Sequence, residues 1–468
     1  MFNSTLWLTL ATLIGLAAGF AREWLLVAAW GAGSRSDAFL VALFLPEALR
    51  MTMAGGLLAA AALPLYNLRK DRLQQQWLNG LSPWIVLSAF MLTALFALGA
   101  PLWVQVIGPG LSDAARAQAV DNLILLAACA PGFVLHALLS IPLQARERFV
   151  LAGFGSLLFN LPAVLYLAVF KDESQPYGVA LACLLGSVLM PLSLLVPVWR
   201  LGWRPYSLQG EAGAGRELLS KLGPLFGSNL ASQGLALLER MVASMLGEGA
   251  VTWVNLARKL INLPLIALMN LNQVLLSMMS AREGVARLSM LKQGLAAATL
   301  LTVPASIGLV GTSPTLVALL LPDQVAGGPL PLLLAWFAVP LILGAWNALL
   351  ARYAYAGSDT HLPLRCELWG SLCTALLLIS LPFMIGLIGV ALAALVGVLV
   401  TGLLLMHRQG LLTDLQWARQ WLLGLGLLGL AGATLHPLDA GWLQLALGTL
   451  VSALAMLALA AWLKPWRA

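Results

Sequence analysis

The sequence predicts an all-α polytopic membrane protein of about fourteen transmembrane helices, and three observations lead there. Of 468 residues, 60% are hydrophobic and only 10% are charged, against roughly 25% charged in an ordinary soluble domain. Runs of about 20 apolar residues recur from Leu6 to Leu463, the length a helix needs to cross about 30 Å of hydrocarbon. The alternating apolar and polar pattern of an outer-membrane barrel is missing from these runs. Fourteen such spans leave only short connections and no separate soluble catalytic domain.

Apolar runs bounded by charged residues or Gly/Pro clusters place the spans, in order, near 6–32, 37–66, 80–107, 121–143, 149–170, 178–200, 222–246 and 250–280, then near 293–312, 329–354, 366–386, 388–406, 419–435 and 440–463. The first stretch, MFNSTLWLTLATLIG, has neither a basic n-region nor a small-residue cleavage site, so it reads as a retained helix. Cys129, Cys183, Cys366 and Cys373 show neither metal nor disulfide spacing and read as small apolar packing residues.

Orientation follows from the basic residues. Alternate connections carry Arg69, Lys70 and Arg72; Arg146 and Arg148; Arg200, Arg204, Arg216 and Lys221; Arg282, Arg287 and Lys292; Arg352 and Arg365; Arg408 and Arg419; and Lys464 with Arg467. The intervening connections hold only Arg35, Arg116 and Lys171. By the positive-inside rule the first set, with both termini, is cytoplasmic. The excess of 26 Lys+Arg over 19 Asp+Glu therefore reports orientation, and no basic run interleaved with aromatics points to nucleic acid. A faint internal repeat is also present: Glu23 with Gly31-Ala-Gly33 echoes Glu239 with Gly247-Glu-Gly249, and Pro46 echoes Pro264. An offset of about six spans keeps both copies in one orientation, the parallel duplication that transporters use.

Ionisable residues inside spans carry the functional signal. They are Arg22, Glu23, Glu47, Arg50, Glu239, Arg240, Arg258 and Lys259, with Asp37 at a helix start. Each costs about 2.5–3.5 kcal/mol at the bilayer centre on insertion scales, so such groups face protein or a watery cavity. They fall only in spans one, two, seven and eight, which predicts one shared polar chamber suited to an anionic substrate that displaces internal pairs. Simpler readings stand beside this one. Arg22 and Arg240 can snorkel to a membrane surface if the spans shift, and Glu47 and Arg50, three apart on one face, can pair with each other. Glu23 points about 100° away from Arg22 around the helix, so those two are not expected to neutralise each other. Asp37 ends Ser34-Arg35-Ser36-Asp37, a capping-box pattern that can merely start span two. Lys259 can be a cavity-wall charge beside Arg258, and His136 reads as a satisfied core histidine. No phosphate loop, GxSxG, zinc motif or paired nucleophile and base occurs, so bond-breaking chemistry, a cofactor and a metal site are not expected.

The series Gly19-Phe20-Ala21-Arg22-Glu23, Gly31-Ala-Gly33, Asp37-Ala38-Phe39 and Leu45-Pro46-Glu47-Ala48-Leu49-Arg50 resembles the opening of the MurJ/MviN family of lipid-linked oligosaccharide flippases, within the multidrug/oligosaccharidyl-lipid/polysaccharide exporter superfamily. The resemblance continues through Arg148-Phe149, Ala152-Gly-Phe154 and Asn160, through Gly249-Ala-Val-Thr-Trp253 to Ala257-Arg258 and Pro264, and through Tyr355, Asp359-Thr360 and Pro363. It implies two six-helix lobes around a central cavity, residues 1–204 and 205–410, with a final pair, 411–468, forming a groove for a lipid tail. It also implies that Arg22, Arg50 and Arg258 bind a substrate pyrophosphate, a role that suits the fixed charge and paired donors of guanidinium. Asp37, Glu47, Glu239, Arg240 and Lys259 then line or gate the cavity.

Two departures from the family pattern, Leu16 and Gly55, remove a cation and an anion. They favour an undecaprenyl-pyrophosphate-linked exopolysaccharide unit as cargo, with lipid II for peptidoglycan synthesis as the alternative. The expected setting is the bacterial cytoplasmic membrane, with membrane lipid and a polysaccharide polymerase or export machinery as partners. A membrane-bound glycosyltransferase or acyltransferase is the rival of another class. A cation-coupled drug exporter would instead favour acidic cavity residues.

Overall fold

The computed structural model describes residues 2–54, 57–70, 72–146, 148–203, 210–211, 213–261, 275, 279–280, 282–321, 328–357, 359, 361–412, 415–435 and 438–463. Among them every regular element is helical, as hydrocarbon demands of a chain that must satisfy its own backbone. Nine of the described helices are long and apolar enough to cross a membrane. Helix also occupies described residues in each of the other predicted stretches, several of which are interrupted. Contacts divide the chain into two units, Met1–Thr252 and Trp253–Ala468.

The first unit contains α1 (Phe2–Trp30), α2 (Ser34–Ala54), α3 (Leu57–Asn67), α4 (Arg72–Leu98), α5 (Ala100–Ile107), α6 (Asp113–Ala127), α7 (Ala130–Gln144), α8 (Phe149–Gly153), α9 (Gly155–Phe170), α10 (Pro176–Arg200) and α11 (Ala214–Met245). Sequence punctuation explains the breaks. Gly31, at φ +72°, ends α1, and Gly99 with Pro101 in the first turn separates α5 from α4. The Ser112 hydroxyl accepts the Ala115 N–H to start α6. At the head of α2 the Ser36 hydroxyl accepts the Gly33 N–H at 3.0 Å, the reach-back bond of a capping box, which leaves Asp37 uncommitted.

Within this unit α7 is covered on nearly every side, by α2, α3, α4 and α10, while α9 lies between α1 and α10. Trp77, Phe133, Leu138 and Phe159 are fully buried in the packed interior. The outer faces of α4, α9 and α10 expose Phe90, Leu98, Leu165, Val169, Leu192 and Val196. That inside-out distribution suits a chain whose solvent is lipid.

The second unit is organised around the 37-residue helix Gly284–Leu320, which packs on Leu330–Ala356, Leu415–Leu435 and Trp442–Leu463. It starts nine residues before the predicted span, so Arg287 and Lys292 lie on its first turns rather than in a connection. Polar side chains pin its neighbours. Trp346 Nε1 donates to Thr299 Oγ1 at 2.9 Å, Ser452 Oγ donates to the Pro304 carbonyl at 2.8 Å, and buried Gln444 bonds both the backbone and the hydroxyl of Thr315. Each removes a polar group from contact with lipid.

Candidate functional site

In the first unit α1, α2 and α9 bring four ionisable groups together around one aromatic ring. Arg22 is fully buried on α1. Its Nη1 donates to Asn160 Oδ1 at 2.8 Å, and its Nη2 reaches Glu23 Oε1 at 3.0 Å and Glu47 Oε1 at 3.4 Å. Arg50 Nη2 lies 3.6 Å from the same Glu47 oxygen, and its Nη1 donates to Ser156 Oγ at 3.3 Å. Both guanidinium carbons stand over the Phe159 ring, at 5.7 Å for Arg22 and 5.1 Å for Arg50. The two arginines thus share a carboxylate and an aromatic ring, with Glu23 as second counter-charge.

The two cations differ in how firmly they are held. Arg22 is committed, holding an amide and two carboxylates. Arg50 makes only a long ion pair and a weak hydroxyl bond. An entering anion would therefore displace Glu47 from Arg50 more readily than it would strip Arg22. The pairing expected of Glu47 and Arg50 is present. The expectation that Glu23 would not neutralise Arg22 is corrected: their Cβ atoms diverge around the helix, but the long arginine side chain curls sideways into contact.

A second cluster joins α2 to the turn after α11. Asp37 accepts the Gly249 N–H at 2.7 Å, and through Oδ1 the Thr252 N–H at 2.8 Å and the Thr252 hydroxyl at 2.6 Å. It caps the helix over residues 250–261 rather than the one it stands on. Arg240 Nη1 donates to the Leu40 carbonyl at 2.8 Å and its guanidinium lies 4.8 Å from the Phe44 ring centre. Glu239 is half-buried beside it. The repeat noted in the sequence has a local counterpart, since Gly31 and Gly247 both take positive φ just after a long helix, and Gly249 does so at the next helix start.

Arg258 and Lys259 belong to the second unit and are half-buried. The Arg258 guanidinium stands 4.4 Å from the Phe337 ring centre, a stacking arrangement that favours arginine over lysine. Leu16 is exposed. Gly55 and Pro264 lie outside the described residues. His136 is buried with Nδ1 3.2 Å from the Met190 carbonyl, a packed core histidine. Sequence reasoning missed Phe159, Ser156 and Thr252, none of which stands out within an apolar run. Among the described residues no His, Cys, Asp and Glu cluster could hold a metal ion.

A family model described as "Lipid II flippase MurJ" matches residues 26–463. Among curated proteins, the lipid II flippase MurJ of Burkholderia cenocepacia is 28% identical over 281 residues, covering 56% of this chain and 54% of that protein. The probable lipid II flippase MurJ of Thermotoga maritima is 25% identical over 419 residues, covering 84% and 82%. The chain thus spans about half the length of several curated relatives it matches, the Burkholderia protein included, and most of the Thermotoga one. A solved lipid II flippase MurJ in an inward closed conformation superposes with a TM-score of 0.83 at 19% identity, covering 98% of each chain. An inward-facing multidrug resistance MATE family transporter of the MOP superfamily gives 0.66 at 16%, covering 91% and 96%. These two likenesses show the fold.

Proposed function

The chain belongs to the lipid II flippase MurJ family, and on that premise we propose that it moves lipid II across the bacterial cytoplasmic membrane for peptidoglycan synthesis. The observation that carries this reading is the family match over residues 26–463, supported by curated relatives that are named as lipid II flippases. It replaces the exopolysaccharide unit favoured by the sequence departures. One of those, Leu16, is exposed, and the curated relatives reported above are named for lipid II. No covalent bond changes, and the protein acts as a transporter rather than an enzyme.

In this reading Arg22, Arg50 and Arg258 bind the pyrophosphate. Arg50 is the first to exchange, because it gives up only a 3.6 Å pair to Glu47, and two phosphate oxygens can take its paired donors. Glu47 then stays beside Arg22, so no buried charge is stranded. Asp37, Glu239, Arg240 and Lys259 line or gate the path. Lobes 1–204 and 205–410 alternate access, the pair 411–468 completes the fold, and both termini are cytoplasmic.

The test is expression in cells depleted of their own lipid II flippase. Restored peptidoglycan synthesis is the expected result. Failure at normal membrane abundance, together with loss of exopolysaccharide when the gene is deleted in its native host, would return the cargo to the exopolysaccharide class.

A further inference from the structure

One described cavity has none of the charged groups discussed so far in its lining. It is a groove of about 840 Å³ in the first unit, between α4 and the start of α11, floored by α3 and α7. Leu58, Leu81, Ile85, Leu92, Val134 and Leu222 represent its lining. The Ser88 hydroxyl, its one aliphatic polar group, is already spent on the Ile85 carbonyl at 2.9 Å. Water finds almost no hydrogen-bond partner there. The mouth carries exposed Trp84, Met91, Leu95, Leu98 and Leu219, continuous with the lipid-facing surface of α4. A concavity open to hydrocarbon fills with hydrocarbon, since an empty one forfeits the dispersion contacts of its walls.

Length and charge identify which hydrocarbon. Along α4 the lining runs from Leu81 to Gly99, roughly 27 Å at 1.5 Å per residue and most of the roughly 30 Å membrane core. An acyl chain of one leaflet covers only half of that. At the end where α4 and α11 begin, Lys70, Arg72, Arg216 and Lys221 are exposed. Among the described residues the acids at that end, Glu211 and Glu217, are held by Arg69 at 2.7 and 2.9 Å. Arg216 lies one turn before Leu219 on the groove face, and Lys221 adjoins Leu222. The rim is therefore cationic where a chain filling the groove would present its phosphate.

We propose that this groove is a docking site for the polyprenyl tail of the lipid-linked cargo, with Arg216 and Lys221 receiving the phosphate end. The proposal rests on the flippase reading and adds a tail site in the first unit, apart from the pair 411–468 to which the family resemblance assigns one.

The experiment measures binding of undecaprenyl phosphate to the purified full-length protein by native mass spectrometry, with phosphatidylglycerol as competitor. Ser88→Phe and Leu92→Trp fill the groove, and Arg216→Gln with Lys221→Gln strips the rim. Unchanged thermal unfolding checks that each variant is folded. Groove filling is expected to weaken binding about tenfold or more, since the displaced tail loses the burial of several methylenes. Rim removal should weaken it less and abolish preference over phosphatidylglycerol. Wild-type binding in both groove-filled variants, or equal displacement by phosphatidylglycerol in the wild type, overturns the proposal. Wild-type protein that binds the tail through this groove but fails to rescue flippase-depleted cells overturns the cargo and keeps the groove.

Discussion

The Asp37 carboxylate on α2 holds both the backbone N–H and the hydroxyl of Thr252, across 215 positions of sequence. With the Gly249 N–H it satisfies three donors at the start of the helix over residues 250–261. The helix after Gly31 thereby supplies the cap of the helix after Gly247, while its own start is closed locally by Ser36. A side chain that looks like a local cap in the sequence is a long-range tether in the fold.

Asp37→Ala leaves these buried donors without an acceptor, at a cost of about 1–3 kcal/mol for each group that water cannot reach. Thermal unfolding in detergent should shift down clearly, and amide exchange at Gly249 and Thr252 should accelerate. Asp37→Asn keeps an acceptor oxygen and should lose less. Unaltered exchange at Gly249 in Asp37→Ala would show that the tether does not hold the turn.

Arg22 and Arg50 should separate in their failures. Arg22→Ala takes from Glu23 its 3.0 Å cation and from Asn160 Oδ1 its donor, and breaking a buried pair costs about 3–5 kcal/mol. Folded protein in the membrane should drop together with transport. Arg50→Ala leaves Glu47 paired to Arg22, so abundance should hold while transport is lost, and Arg50→Lys should rescue only in part. Equal abundance losses in the two alanine variants would contradict this division.

The fold was legible where hydropathy and charge counting act on whole spans, and the site only where partners lie within one helical turn. Glu47 and Arg50, three residues apart, could be paired from spacing alone. The Arg22–Glu23 contact could not, because the helical-wheel argument fixes Cβ directions and not the end of a four-carbon arm. Phe159, which both arginines approach, is one apolar residue in an apolar run, and nothing in its type announces two neighbouring cations. The helix breaks at Gly99 and Phe154 were hidden for the same reason, since hydropathy does not change across them.

The connection between α10 and α11 is fastened by Arg69, whose Nε and Nη2 reach the two Glu211 oxygens at 2.8 and 2.7 Å. These bonds hold the Glu211 carboxyl below its ordinary range and raise the Arg69 guanidinium. A depressed carboxylate contributes stability above its unfolded pKa of about 4.3, and loses it as pH falls through the lower folded value. Both groups are partly exposed, so solvent screening keeps the effect within about 1 kcal/mol. Between pH 6 and 3 the wild-type melting temperature should fall more than that of Glu211→Gln. Parallel curves would mean that the clasp contributes nothing to stability.

Orientation has a direct test. The distribution of basic residues along the sequence predicts Arg467 in the cytoplasm and the Asp172–Tyr177 segment outside. Trp30 Nε1 and Arg35 Nη2 both donate to the Ser174 carbonyl, so the ends of α1 and α9 share one side. Reporter fusions at the two places should report opposite compartments, and matching signals would make the span count wrong.

In the second unit the helices His361–Leu378 and Leu387–Arg408 meet through a reciprocal pattern, Gly370 with Thr374 on one and Gly397 with Thr401 on the other. Each threonine hydroxyl donates to the glycine carbonyl four residues back, at 3.0 Å. This satisfies the hydroxyl without water and aims the threonine at the glycine of the facing helix. A Cβ on Gly370 would run into Thr401 Oγ1 and stand 2.6 Å from the Gly397 carbonyl, and one on Gly397 would meet Thr374 Oγ1 and the Gly370 carbonyl at 2.7 Å. Small residues let such backbones approach where apolar attraction between helices gives no help in lipid. Gly370→Ala and Gly397→Ala should each destabilise by about 1–3 kcal/mol through overpacking. Gly429→Ala, which meets open space, should be neutral or slightly stabilising. Adding Thr401→Ala to Gly370→Ala should recover part of the loss but not all, because the carbonyl clash remains. Thermal unfolding of these variants checks the series, and a Gly370→Ala protein as stable as Gly429→Ala would show that the two helices do not approach through these glycines.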